Sequence, residues 1–246
     1  YEKPSLSTRD PTNPGLYHGP YRIKEIKLGS HVIFERNPTY YGKPSITKVW
    51  GINPDQLYAT IFVGDEKDGL PRDNEAAGLW RKLTRIPAER VMAFGKKDNF
   101  WEMGETGPCG PCSEIHLDLG PERCDKQGTP DHVCRVNGDC RRFIELWNLV
   151  FMQYNHLADG RLDPLPAQHI DTGMGFERVV SVLQGVSSNY DSDLFRPIIR
   201  RTQDLLAEVV TDRDVKTDLD DPRRAVSYRV IADHSRAITF LIGDGV

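Results

Sequence analysis

The stretch DTGMGFER at residues 171–178 sets a carboxylate, two glycines and a guanidinium close together. Glycine lacks a Cβ, so Gly173 and Gly175 bare their backbone to close approach by a ligand. Arg178 supplies a planar, forked cation suited to phosphate, and Asp171 has the charge to pair with an ammonium group. The spacing is neither the G-x-G-x-x-G of a dinucleotide fold nor the G-K-[ST] of a phosphate loop. Taken alone, a tight turn with a surface Asp and Arg explains the stretch at least as well as an anion clamp does.

A second group is sulfur-rich. Cys109, Cys112, Cys124, Cys134 and Cys140 fall within 32 residues, with His116 and His132 among them. C-x₂-C followed by further Cys and His residues is ligand chemistry for zinc, although the spacing matches no common finger. The prolines beside Cys109 and Cys112 equally suit a rigid, sharply folded loop, and a catalytic thiol is a further reading. An odd thiol count with no secretory signal points to reduced cysteines and a cytosolic location.

A third stretch, RRFIELWNLVFMQYN (141–155), is apolar and aromatic yet carries Glu145, Trp147, Asn148 and Gln153. Its pattern predicts a central strand buried on both faces. Polar groups there need partners, either in an internal network or in a ligand lying on the strand.

The elements that must position these groups follow from periodicity. Tyr21/Ile23 and Val32/Phe34 alternate with polar neighbours, predicting two strands joined at residues 28–30, with turn material in NPTYYGKPS. LYATIFV reads as a buried strand, residues 73–86 as a helix, and IPAERVMAF as the entry to another strand. Asp159-Gly160 signals a hairpin. Phe176, Val179, Val180 and Leu183 recur at helical spacing with Gly185 as the stop, so the two glycines lie where a strand becomes a helix. A helix over 192–210 takes Asp191 as N-cap, TDRDVKTDLDDPRR reads as a charged surface linker, and residues 226–242 form a helix with Val226, Val230, Ala237, Ile238 and Leu241 on one side. Strands, then a hairpin, then helices give an α+β class.

Length and composition set outer bounds. With 246 residues, 38% hydrophobic and 28% charged, the chain has ample material for a packed core. No apolar run approaches the roughly 20 residues of a membrane-spanning helix, so no membrane partner is expected. A net charge of −4 argues against a tight, non-specific nucleic-acid binder; it leaves room for a protein that grips an RNA end. Both termini look cut off. Residues 1–46 hold six of the 17 prolines and seven basic against four acidic residues, while the rest has 25 basic against 32 acidic. This shift places a boundary near residue 46.

DNFWEMGETGPCGPCSEIHLD, ELWNLVFMQYNHLADGRLDPLP, IDTGMGFERVVSVLQGVSSNYDSDLF and RVIADHSRAITFLIGDGV occur in this order. Together they closely resemble the aminoacylation domain of the alanyl-tRNA synthetases, over about residues 47–246. The resemblance implies a class II synthetase fold: an antiparallel sheet flanked by helices, incomplete on its N-terminal side. Residues 47–210 would be the partial aminoacylation domain, and 211–246 a linker with the start of a helical tRNA-recognition region. DTGMGFER resembles the third signature motif of that class, whose backbone and arginine hold ATP.

The implied chemistry is activation of L-alanine by ATP, with Mg²⁺ on the phosphates, to alanyl-adenylate and pyrophosphate. Transfer to tRNA(Ala) follows, in the cytoplasm. The resemblance makes Asp171 and Arg178 the catalytic pair. It assigns Trp101, Leu146, Trp147, Asn148, Gly175 and Arg178 to ATP, and Trp101, Asn148, Val150, Asp171 and Gly173 to alanine. The cysteine-bearing insertion at 121–140 is not a required part of that pattern, and oligomeric state is left open.

Residues 1–46 depart from it. The first two class signatures are not legible there; LYHGPYRIKEIKLGSHVIFERNPTYYGKPS instead resembles part of a family 5 extracellular solute-binding protein. This predicts a chimeric junction, with a non-catalytic fusion product as the alternative reading; 46 residues cannot form the two lobes of a binding module. Without the second signature's α-phosphate arginine, worth about 2–4 kcal/mol of transition-state stabilisation, alanine-dependent ATP–pyrophosphate exchange is expected to be weak or absent.

Overall fold

The structure is a computed structural model that describes residues 21–27, 31–36, 46–47 and 50–245, the two early segments as backbone only. The chain divides into two compact units, Tyr1–Asn53 and Pro54–Val246. In the first, β1 (Tyr21–Lys27) and β2 (His31–Arg36) pair antiparallel with a bulge between Ile23 and Glu25. The expected joint at 28–30 and the turn material at 37–45 lie outside the described residues.

The second unit is built on a six-stranded sheet. Its strands are β3 (Leu57–Phe62), β4 (Val91–Phe94), β5 (Phe100–Glu102), β6 (Gly107–Asp118), β7 (Phe143–His156) and β8 (Leu162–Met174). Their order is β4-β3-β6-β7-β8, with β5 also paired to β6. The sheet is mixed, not wholly antiparallel: β3 and β4 run parallel because the chain crosses over through α1 (Asn74–Leu83) between them. Asp73 caps α1 by accepting from the Ala76 amide, and a short helix, α2 (Lys96–Asn99), joins β4 to β5. Ala76 and Ala77 of α1 bury against Ile61, with Trp80, Val91, Ala93 and Phe151 around them.

GPCGPC forms the first half of β6 rather than the sharply folded loop its prolines suggest. Proline cannot donate to a ladder and belongs at edges or bulges. Here the register between β6 and β7 shifts between Cys109 and Cys112, where a bulge absorbs the irregularity. Gly110 lies inside it. A Cβ there would collide with the Phe151 carbonyl oxygen and sit 3.1 Å from the Gln153 amide nitrogen.

Strand β7 is central, but only Leu146 and Val150 along it are buried, so the expected burial on both faces is not met. The cause is its neighbour: β8 is the last strand of the sheet, and residues 166–173 along it are exposed. The hairpin between them turns at Asp159-Gly160 as expected, with Gly160 at φ +86°.

Helix α3 (Phe176–Leu183) starts directly after β8 and stops at Gly185, φ +65°. It buries Val179 and Ser181 while Phe176 and Leu183 are exposed. Asp191 is not an N-cap. Ser188 caps a 3₁₀ turn, Asn189–Asp191, and α4 (Arg196–Ala207) begins after it with Pro197 in its first turn. The supposed surface linker folds as a 3₁₀ turn, Val215–Asp220, with Val215 and Asp218 buried. Arg213 donates to both Asp218 oxygens at 3.0 and 3.1 Å, Arg224 at 3.0 Å and the Tyr228 hydroxyl at 2.9 Å. This carboxylate anchors α5 (Pro222–Asp244).

Helix α5 packs through Ala225, Tyr228 and Ala232, so the face with Val226, Val230, Ile238 and Leu241 is exposed, the reverse of the expectation. Two small alanines admit close approach of the helix, and the Asp218 anchor selects the Tyr228 side. Phe195, Ile199, Val215, Tyr228 and Ala232 form the resulting core.

Candidate active site

The sheet has two unlike faces. Ile61 points to α1, as does Ser113, whose Oγ accepts from Trp80 Nε1 at 2.7 Å. Alternation along the strands sends Thr60, Cys112 and Glu114 to the other face. Register then lays two cross-strand rows there. One runs Glu114–Asn148–Gly173 and the next Cys112–Val150–Asp171, across β6, β7 and β8. Each row is buried at its β6 end and exposed at its β8 end.

The buried end is a polar network. The Thr60 hydroxyl donates to Glu114 Oε2 at 3.0 Å, His116 Nε2 lies 2.9 Å from the same oxygen, and Asn137 Nδ2 donates to it at 3.4 Å. Asn99 Nδ2 donates to Thr60 Oγ1 at 2.7 Å and to the Cys112 carbonyl at 3.1 Å. Glu114 is 5% exposed and His116 3%. Sequence reasoning missed Thr60, Asn99, Glu114 and Asn137. The only signal was an acidic residue in alternation with Cys112 in PCSEIH, since their meeting depends on three separate segments.

Two amide oxygens, Asn99 Oδ1 at the end of the short helix before β5 and Asn148 Oδ1 on β7, are buried without a hydrogen-bond partner in the protein, as is Trp147 Nε1. Buried polar groups in native proteins are normally satisfied. Asn148 Oδ1 thus lacks the donor that a buried acceptor calls for. Gly173, beside it, has no atom within 4 Å of where a Cβ would stand. Its missing side chain leaves open space on this face.

The remaining expected residues fall around these rows. Asp171 is exposed, and its Oδ1 accepts from the Thr172 amide at 2.8 Å. Leu146 is 1% exposed at the second register shift of β7, and its carbonyl accepts from Gly175 N–H at 3.0 Å. This bond fixes the corner at which β8 becomes α3. Trp147 pairs with Met174 and alternation sends its side chain to the opposite face from Asn148. Trp101 lies on β5 opposite Gly110, two residues before Cys112 along β6.

Gly175 is the N-cap position of α3. A Cβ there would press on Arg178, 3.0 Å from its Cδ, so the glycine lets the arginine stem lie against the helix start. Arg178 Nη1 donates to the Glu145 carbonyl at 3.1 Å and to Glu145 Oε2 at 3.0 Å, with nearly half of its side chain exposed. Glu177 pairs with Arg236, tying α3 to α5; that hydrogen bond holds the Glu177 carboxyl below the usual range.

The cysteines separate into two groups. Cys109 and Cys112 lie in β6, buried, and neither joins a metal-ligand cluster among the described residues. Burial, then the nearby Glu114 carboxylate, pushes the Cys112 thiol up to about 12. It is therefore no nucleophile at neutral pH. His116 is engaged with Glu114 instead. Cys124, His132, Cys134 and Cys140 do converge, with ligand atoms all within 4.8 Å of one another.

The family of class II tRNA synthetases (A) matches residues 31–246. The match begins inside the segment that resembles a solute-binding protein, and that resemblance finds no support. An alanine–tRNA ligase of Chlorobium phaeobacteroides is 49% identical over 213 residues, covering 84% of this chain and 22% of the relative. That of Parabacteroides distasonis is 47% identical over 213 residues, covering 84% and 23%. That of Salinibacter ruber is 51% identical over 201 residues, covering 80% and 21%. The chain thus spans about a fifth of the length of these relatives.

Proposed function

We propose that this chain, which belongs to the class II tRNA synthetases, carries the alanine and ATP sites of an alanine–tRNA ligase. In this reading L-alanine is activated to alanyl-adenylate and then passed to the 3′ end of tRNA(Ala). The observation that carries it is the pair of rows on the open sheet face. There an amide whose Oδ1 has no protein partner (Asn148), a small apolar residue (Val150), a carboxylate (Asp171) and a bare backbone (Gly173) stand side by side.

An amino acid laid on these rows places its ammonium against Asp171, its carboxylate toward the amide N–H of Asn148 and its methyl toward Val150, with Trp101 as the further wall. The nucleotide then lies toward the Gly175 corner; Leu146 serves only through its carbonyl, which holds that corner, and Trp147, facing away from Asn148, is left out of the contact. Arg178 turns from Glu145 to the phosphates, a short movement for a half-exposed, flexible side chain. The alanine carboxylate oxygen attacks the α-phosphorus and pyrophosphate leaves. The chain's part is to hold the two reactants in line and to meet developing charge with a fixed cation. Mg²⁺, a hard cation taking oxygen ligands, neutralises phosphate charge in such a reaction. The Glu145 carboxylate, one-third exposed beside Arg178, fits as its protein ligand. Among the described residues no helix is long and apolar enough to cross a membrane.

Calorimetric titration of the 246-residue chain with a sulfamoyl analogue of alanyl-adenylate tests the reading. Saturable binding is expected, and a leucyl analogue should bind at least about tenfold more weakly, as misfitting methylenes are worth about 1–3 kcal/mol. Failure of the alanyl analogue to bind, or equal binding of the leucyl one, overturns it.

A further inference from the structure

Between the end of β6 at Asp118 and the start of β7 at Phe143 the chain runs through residues 119–142. The only helix there is one 3₁₀ turn, Pro121–Arg123. Its base is well tied: Leu119 N–H donates to the Arg142 carbonyl at 2.8 Å, and Arg142 grips both Asp118 oxygens at 2.7 Å. Its interior is meagre. Apart from Val136, 1% exposed, the buried side chains are Cys124 and Cys140. A segment this long with little apolar mass needs a staple to hold one conformation.

We propose that Cys124, His132, Cys134 and Cys140 bind a single tetrahedral Zn²⁺ that is this staple. His132 Nε2 stands 3.2 Å from Cys124 Sγ and 3.5 Å from Cys134 Sγ. Zn–S of about 2.3 Å and Zn–N of about 2.0–2.1 Å require a tetrahedral S···N edge of about 3.5 Å and an S···S edge of about 3.8 Å. The S···N distances are therefore near their bound values, and the whole group needs only slight contraction from its present 4.8 Å limit.

The surroundings fit a metal as well as the ligands do. His132 Nδ1 lies 3.3 Å from Asp139 Oδ1, and Lys126 donates to Asp139 Oδ2 at 2.6 Å. A histidine whose Nδ1–H is taken by a carboxylate presents Nε2 as a lone pair, the arrangement by which outer carboxylates orient metal-bound imidazoles. Cys109 and Cys112 are excluded, being held in β6.

The metal would also serve the sheet. Asn137 lies between two ligands with φ +53° and reaches Glu114 Oε2 at 3.4 Å. Fixing the loop fixes that contact at the buried end of the Glu114 row. The metal inference does not rest on the ligase reading, and its test does not read activity.

The test is elemental analysis and Co²⁺ titration of the 246-residue chain purified without chelator. One zinc per chain is expected, exchangeable for Co²⁺ with thiolate charge-transfer and tetrahedral d–d absorption. Cys124→Ser and Cys140→Ser should lose the metal, whereas Cys109→Ala should retain it. Asp139→Asn keeps all four ligands and should bind Co²⁺ about 10–100-fold more weakly, a readout that survives if the cysteine variants misfold. Metal-free protein that gives no thiolate band with Co²⁺ overturns the proposal. So does a Cys124–Cys140 disulfide, or metal content unchanged in the cysteine variants.

Discussion

Gly173→Ala separates a site glycine from a structural one, because the two roles move two observables in opposite directions. Gly173 pairs with Asn148 near the end of β8, its φ lies outside the left-handed region, and no atom stands within 4 Å of the new methyl. The folded protein has room for the change, and the unfolded chain loses freedom, so stability should rise by about 0.4–1 kcal/mol. For a chain of this size that is about +1 to +4 °C in Tm. The methyl would occupy the open space in which the proposed adenylate lies. Crowding a close-fitting contact by one methyl costs about 1–3 kcal/mol, or about 5- to 150-fold in Kd. Scanning calorimetry and titration with the alanyl sulfamoyl analogue measure both on one preparation. A higher Tm with unchanged affinity would remove Gly173, and with it the row, from the ligand site. A lower Tm would show that the space above Gly173 is filled by the protein itself.

Two further outcomes test the fold that carries the site. Gly110→Ala drives a Cβ into the Phe151 carbonyl, and backbone atoms cannot rotate away. Urea unfolding should show a loss above the about 1–3 kcal/mol of ordinary overpacking, and a loss under about 1 kcal/mol would disprove the bulge geometry. Asp218 is held down to about 2, first by the Arg213 hydrogen bonds and also by Tyr228 and Arg224. A carboxyl lowered in the folded state stabilises above its unfolded value of about 3.9 and loses that contribution as pH falls toward 2. Acid titration should therefore weaken the packing of α4 on α5 in that window. Asp218→Asn should be less stable at neutral pH and show a flatter stability–pH slope there; an unchanged slope would sink the argument.

Much of this protein is legible locally. The apolar run LYATIFV, the helical recurrence from Phe176 to Leu183, the Asp159-Gly160 turn and the Gly185 stop each depend on neighbours a few residues away, and each element formed where they placed it. DTGMGFER marks its strand-to-helix corner by its own glycines, while the bond from Gly175 to the Leu146 carbonyl of β7 fixes it. The linear order of the longer motifs is enough to mark the synthetase family, because those motifs are read without knowing what they touch.

What failed locally was settled by pairing between distant segments. Two prolines argue for a loop at GPCGPC, yet a bulge opposite β7 makes a strand of it. Five cysteines are equivalent as a list; confinement of Cys109 and Cys112 to β6 leaves Cys124, Cys134 and Cys140 to meet His132. Helix α5 has two sides with helical periodicity. Hydrophobicity favours the one that is exposed, and a buried carboxylate contributed from outside the helix selects the other. Glu114 becomes part of a network only when β3, the 96–99 turn and the loop before β7 converge on it. Sequence periodicity specifies which way a side chain faces within its own element. Which groups share a site is decided by register and crossover, which are properties of the folded sheet.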